Sequence, residues 1–176
     1  MEIIDDFLEQ KDFDELQTLI MNRKYTGNKP PLSWTYNEGI DYEKEDKNRF
    51  QFTHMFYFNG IPTSPYYENL APILKIINPV SVFRIKANLL TRTPNIVENS
   101  FHVDFGDVIK DEKQKQWATS IFYMNTNNGY TKFEDGTKVE SVANRMVTFP
   151  SNMKHTGTSC TDEKIRVVIN FNYFER

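Results

Sequence analysis

From residue 80 to residue 174 the chain is a succession of short runs whose side chains alternate with a period of two, each run closed by turn chemistry. A period of two sends successive side chains to opposite faces of a strand, so these runs suit sheets and not helices. In residues 80–90, Ser81, Phe83, Ile85, Ala87 and Leu89 point one way, and Val82, Arg84, Lys86 and Asn88 the other. Further strand-like runs occupy residues 118–124, 130–133, 145–149 and 165–174. Asn127-Asn128-Gly129, Asp135-Gly136, Pro150-Ser151-Asn152 and Thr161-Asp162-Glu163 supply the turns between them. Many short strands with tight turns predict a β-sandwich or barrel.

The first half reads differently. Asp12 followed by Glu15 resembles a capping arrangement, with Phe13, Leu16, Leu19 and Ile20 on one helical face. Residues 23–50 are polar and broken by Gly27, Pro30-Pro31 and Gly39, which predicts a long, lid-like loop. Residues 50–58 read as an aromatic strand, and residues 67–77 as a second helix burying Leu70, Ile73, Leu74 and Ile77. Asn78-Pro79 ends that helix. The expected class is therefore β-rich α+β with N-terminal supporting helices. Fourteen Phe, nine Tyr and two Trp fit pleated, half-buried surfaces.

Composition narrows the function classes. Charge is -3 overall with no Lys/Arg block, so nucleic acid is not an expected partner. No apolar run approaches the ~20 residues of a membrane span, and Met1-Glu2-Ile3-Ile4-Asp5-Asp6 lacks the basic, apolar start of a secretory signal. A cytoplasmic location is expected, the host cytoplasm if the chain is viral. The single cysteine, Cys160, excludes an internal disulfide and a thiolate metal set, so any transition metal would be held by nitrogen and oxygen.

Two of the three histidines stand in suggestive places. His102-Val103-Asp104 puts an imidazole and a carboxylate at i and i+2, on one side of an extended segment. His155 can join them if strands fold back on one another. Two His and one carboxylate leave open positions on a metal, the arrangement suited to non-haem Fe(II) oxygenases. Alone, His-x-Asp is a weak signal, and a hydrogen-bonded pair at a strand end is the plain alternative. Arg166 shifts the balance. It opens the apolar run Arg166-Val167-Val168-Ile169 eleven residues after His155, where burial without an anion is costly and a planar fork suits a carboxylate.

With these residues in view, the sequence resembles the Fe(II)/2-oxoglutarate-dependent dioxygenases. It is most similar to the prolyl 4-hydroxylase-like branch, including small members from marine bacteriophages. The resemblance also rests on Ile121-Phe122-Tyr123-Met124-Asn125 and Gly129-Tyr130-Thr131-Lys132-Phe133, and covers residues 80–174. It implies a double-stranded β-helix (jelly-roll, cupin-like) in one domain over 1–176, with helical and loop support over 1–79 and the core over 80–176. It implies His102, Asp104 and His155 as iron ligands and catalytic centre, and Arg166 on the distal carboxylate of 2-oxoglutarate. Tyr123 matches a family tyrosine that can contact the same carboxylate, and it reads equally as core; Asn88 and Thr131 are further candidates for that co-substrate. The implied cofactors are Fe(II), 2-oxoglutarate and O2. The implied partner is a substrate peptide or protein, first of all a peptidyl proline, or a small amino-acid-like metabolite.

The sequence departs from the family at Asn128-Gly129-Tyr130-Thr131 and in the long segment around Thr93-Pro94-Asn95, both near where a substrate would sit. A different class remains open, a non-catalytic metal-binding or ligand-binding β-barrel. His54, alone on an aromatic strand, reads as a structural residue. Trp34, Tyr36 and Tyr42 read as a cap over the barrel ahead of a substrate groove, and residues 110–115 as a solvated loop.

Overall fold

The computed structural model describes residues 1–21, 31–40, 49–105 and 111–175. In chain order they form β1 (Glu2–Ile4), α1 (Gln10–Met21), β2 (Thr35–Asn37), β3 (Gln51–Phe58), β4 (Ile61–Pro62) and a 3-10 turn (Tyr67–Leu70) leading into α2 (Ala71–Ile77). Then follow β5 (Ser81–Thr91), α3 (Asp111–Gln114), β6 (Trp117–Tyr123), β7 (Tyr130–Phe133), β8 (Lys138–Glu140), β9 (Arg145–Pro150), β10 (His155–Gly157) and β11 (Ile165–Phe174).

All pairings are antiparallel. The large sheet runs β1-β9-β6-β11-β5-β3-β2, with β4 added to β3, and the small sheet runs β10-β7-β8. Segment 98–102 adds two isolated bridges to the small sheet, Glu98 to Thr158 and His102 to His155. Two antiparallel sheets in this order form the expected double-stranded β-helix.

The alternation explains why the central strands read as nearly continuous apolar runs. On β6, Ala118 and Phe122 join α1 and α2 in one core cluster, which also holds Phe13, Leu16, Ile20 and Ile73. Ile121 and Tyr123 face the other way, into a second cluster with Phe133, Val139, Phe149 and Val168 between the sheets. β11 divides likewise, Val167, Ile169 and Phe171 toward the helices and Val168 toward the small sheet. Both faces of the large sheet are covered, so both must be apolar except where a site is built.

Several expectations need correction. Asp12 is not a cap: α1 begins at Gln10, with Phe13 N–H bonded to Glu9 O at 3.1 Å, which leaves Asp12 in the first turn facing the helix's positive end. Phe83 does not share a face with Ile85. A bulge opposite Asn172 and Tyr173 sets Phe83 out of register, so Val82 packs on the helix side instead and Phe83 meets Phe105 at 5.2 Å between ring centroids. Within the polar stretch 23–50, residues 35–37 are an edge strand and not loop; residues 23–30 and 41–48 lie outside the described residues, as does Tyr42. Trp34 packs against the helix-side core, whereas Tyr36 is exposed and packs on Phe50 and Phe52. Residues 111–114 form a short helix, and Lys110 lies outside the described residues.

Candidate metal centre and its buried arginine

His102 and His155 are brought together by backbone pairing. Each donates its N–H to the other's carbonyl at 3.0 Å, which fixes the two side chains across an antiparallel bridge with ring centroids 4.9 Å apart. Asp104, two residues beyond His102, reaches the same point. Donor atoms of the three residues all lie within 4.8 Å of one another.

The rings are oriented as ligands need to be. Nδ1 of His102 lies 3.2 Å from Ser100 O, and Nδ1 of His155 lies 3.1 Å from Met153 O. A carbonyl can only accept, so each Nδ1 carries the proton and each Nε2 keeps its lone pair. Burial pushes the His155 pKa down, which keeps the ring neutral. Phe149 packs edge-on against it at 4.8 Å.

Asp104 is held from the large sheet. Arg84 Nη2 lies 3.1 Å from Oδ1, and Asn172 Nδ2 donates to Oδ2 at 2.7 Å. Arg84 Nε in turn donates to Asn172 Oδ1 at 2.9 Å, closing a triangle across β5 and β11. Burial pushes the carboxyl up, but Arg84, the two histidines and the Asn172 amide outweigh it and hold the group well below the usual carboxylate range. Oδ2 accepts one hydrogen bond and Oδ1 takes the ion pair, so both keep a lone pair free, and an ionised carboxylate beside two imidazole Nε2 atoms fits a divalent transition metal.

Arg166 is buried at 4% exposure, with Nε donating to Ser141 Oγ at 2.8 Å and Nη2 to Thr131 Oγ1 at 3.2 Å. Among the described residues no carboxylate lies within ion-pair range of it. Gly157 leaves its approach open, since a Cβ there would stand 3.4 Å from Nη1. A buried guanidinium with neutral partners and an open edge calls for an anion.

The same cavity is lined by His102, Asp104, His155, Arg166, Thr131 and Asn88. Tyr123 does not line it. Fully buried, it donates its hydroxyl to Thr131 Oγ1 at 2.7 Å and thus orients the threonine that Arg166 also uses. His54 stands apart, with Nδ1–H donating to Ser33 O at 2.6 Å and Nε2 2.8 Å from the Ser64 hydroxyl. Sequence reasoning missed Arg84, Asn172 and Ser141 as site residues. For Arg84 and Asn172 the available signal was polarity inside strands with apolar neighbours; Ser141, just past β8, carried none.

No protein-family model matches the sequence, and no curated protein matches it. Among solved structures, the fold is that of the 2-oxoglutarate/Fe(II) oxygenases. The chain is similar to a prolyl hydroxylase from Trichoplax adhaerens in complex with a hypoxia inducible factor oxygen degradation domain peptide fragment. That match has 13% identity and a TM-score of 0.69 over 99% of this chain and 83% of the other. It is also similar to the viral collagen prolyl hydroxylase of Paramecium Bursaria Chlorella virus-1, at 17% identity and TM-score 0.51 over 99% and 90%. A third structure, HygX from Streptomyces hygroscopicus with nickel, 2-oxoglutarate and hygromycin B bound, matches at 10% identity and TM-score 0.59 over 98% and 82%.

Proposed function

We propose that the chain is an Fe(II)- and 2-oxoglutarate-dependent dioxygenase that hydroxylates a peptidyl proline or a small amino-acid-like molecule. The observation that carries the reading is one cavity lined by both a His-Asp-His set and a buried, anion-free arginine. A metal-binding barrel without co-substrate has no use for the second feature. Gly157 lies two residues beyond His155 on β10, a separation of roughly 7 Å along a strand. That is about the reach of a five-carbon dicarboxylate from metal to guanidinium.

His102, Asp104 and His155 would hold the metal on one face, and Arg166, with Thr131 turned by Tyr123, would take the distal carboxylate. Bound Fe(II) with 2-oxoglutarate supplies oxidative decarboxylation to succinate and CO2, coupled to insertion of one oxygen atom from O2 into a C–H bond. The protein's own part is orientation: Nε2 lone pairs aimed by Ser100 and Met153, a carboxylate fixed by Arg84 and Asn172, and a floor of Ile121 and Val168 that excludes water. The Trichoplax neighbour's peptide and the HygX ligand make both peptides and small molecules reasonable substrate classes.

The test is anaerobic titration of metal-free protein with Fe(II) and 2-oxoglutarate, followed at the charge-transfer band near about 500 nm. The band is expected in the wild type and lost in His155→Ala and in Arg166→Ala. Iron binding with no band on adding 2-oxoglutarate would sink the dioxygenase reading in favour of a metal-binding barrel.

A further inference from the structure

The cavity carries a second cation that the reaction just proposed does not use. Lys86 lies on β5 between Arg84 and Asn88, cross-strand from Asn170 on β11. It lines the metal cavity and also an adjoining polar groove of about 290 Å³ formed with Asn37, Gly39, Gln51, Arg84, His102 and Asp104. Among the described residues Lys86 has no ion pair and no hydrogen-bond partner. Burial pushes its ammonium down to about 8, with Arg84 adding to the effect and Asp104 opposing it.

Charge balance shows what is missing. The two positive charges of iron match the two negative charges of 2-oxoglutarate, and Asp104 matches Arg84. With Arg166 on the distal carboxylate the site still keeps two surplus positive charges and Lys86 faces no anion, because among the described residues no acid but Asp104 lines either space. A half-buried ammonium beside the reacting centre is costly unless something negative arrives there. A second group is unmet on the facing strand: Asn170 Oδ1 is buried without a hydrogen-bond partner and asks for a donor.

We infer that Lys86 is a specificity-determining residue that receives a carboxylate of the primary substrate, with Asn170 accepting from a neighbouring N–H. This rests on the dioxygenase reading and deepens it: the substrate is acid-bearing, with its carboxylate a few bonds from the oxidised carbon. The groove is the size of one amino-acid residue, so the carboxylate comes from a free amino acid or from an Asp or Glu side chain beside the target in a peptide.

The experiment uses the anaerobic Fe(II)·2-oxoglutarate protein and calorimetry with paired probes. L-Proline is compared with L-prolinamide, and acetyl-Pro-Asp-amide with acetyl-Pro-Asn-amide. At least one acid is expected to bind tenfold or more tightly than its neutralised partner, and the pair that shows it identifies the source. Lys86→Met and Lys86→Gln should erase that ratio while the 2-oxoglutarate half-saturation at the charge-transfer band moves less than twofold. The inference is overturned if the variants keep the ratio, if neither acid binds in preference to its partner, or if the variants lose 2-oxoglutarate, which would assign Lys86 to the co-substrate. Absence of the band in the wild type would instead remove the dioxygenase reading itself.

Discussion

Asp104 has its side chain at 5% exposure, so its charge is sustained by protein groups more than by water. Arg84 neutralises it and Asn172 hydrogen-bonds it, and both arrive from the large sheet. Truncating Asn172 should leave the carboxylate charged but free to turn. Asn172→Ala is expected to cost about 1–2 kcal/mol in chemical unfolding and to weaken metal affinity about 10–100-fold in a direct titration. Unchanged affinity would show that the amide does not orient the ligand. Lys86 makes the opposite case, a charge the apo fold tolerates at a cost. Its folded-state pKa of about 8 lies below the ordinary lysine value near 10.4, so between those limits the unfolded chain binds more protons and stability rises with pH. Burial sets this shift first, with Arg84 adding to it and Asp104 opposing it, both lining the polar groove beside Lys86. Metal-free Lys86→Met should therefore melt above the wild type at pH 7, with the gap closing toward pH 10. A constant gap would mean that the ammonium is solvated. His102, Asp104, His155 and Arg166 stood out as candidates only when type, spacing and family resemblance were taken together, and the fold brings the four to one cavity. Arg84 and Asn172 did not stand out, since their value lies in a triangle joining residues 68 positions apart in the chain.

Whether an element could be read from the sequence followed its length. β5, β6 and β11 run seven to eleven residues, long enough to stand out, β5 by its period and β6 and β11 as apolar runs bounded by turns. β1, β2, β4, β8 and β10 are two or three residues long, too short for an alternation to stand out from chance. β10 matters most among these, because it carries His155, and the pairing that creates it is made by β7 and segment 98–102 and not by its own propensity. The bulge on β5 was hidden for a related reason, since it is a mismatch between two strands and belongs to neither sequence alone. At the start of β7, Gly129 is fixed by a close approach. A Cβ there would stand 2.7 Å from Arg166 Cδ and 2.7 Å from Ser159 O. The arginine stem can yield, whereas the backbone carbonyl can yield only by moving the strand end. Gly129→Ala should lose about 1–3 kcal/mol of stability through this overpacking and weaken 2-oxoglutarate by tenfold or more, with metal affinity nearly unchanged. Equal losses of metal and co-substrate would place the damage at β10 instead.

At the scale of the molecule, the proposed metal is a clip between two sheets. His155 belongs to the small sheet, His102 and Asp104 to the segment bridged to it, and Asp104 is tied to β5 and β11 of the large sheet. The unfolded chain has no such site, so binding free energy adds to folding free energy. At a ligand concentration 100 times Kd the gain is about 2.7 kcal/mol, or roughly 5–11 °C for a chain of this size. The increment must also depend on pH in a way that identifies the ligands. His155 has a folded pKa depressed by burial, so in the metal-free protein it favours folding above the ordinary imidazole value and opposes it as pH falls below. Metal holds the imidazoles deprotonated more firmly still, so the metal increment shrinks as protons compete below about pH 6.5. Asp104, held below the usual carboxylate range, stays ionised throughout that window and contributes no slope there. Calorimetry with and without Fe(II) and 2-oxoglutarate at pH 8, 7, 6 and 5 should show an increment that is level above pH 7 and mostly gone at pH 5. In His155→Ala both the increment and its slope should vanish. An increment undiminished at pH 5 would mean that carboxylates alone hold the metal, and the histidine-centred clip would be wrong.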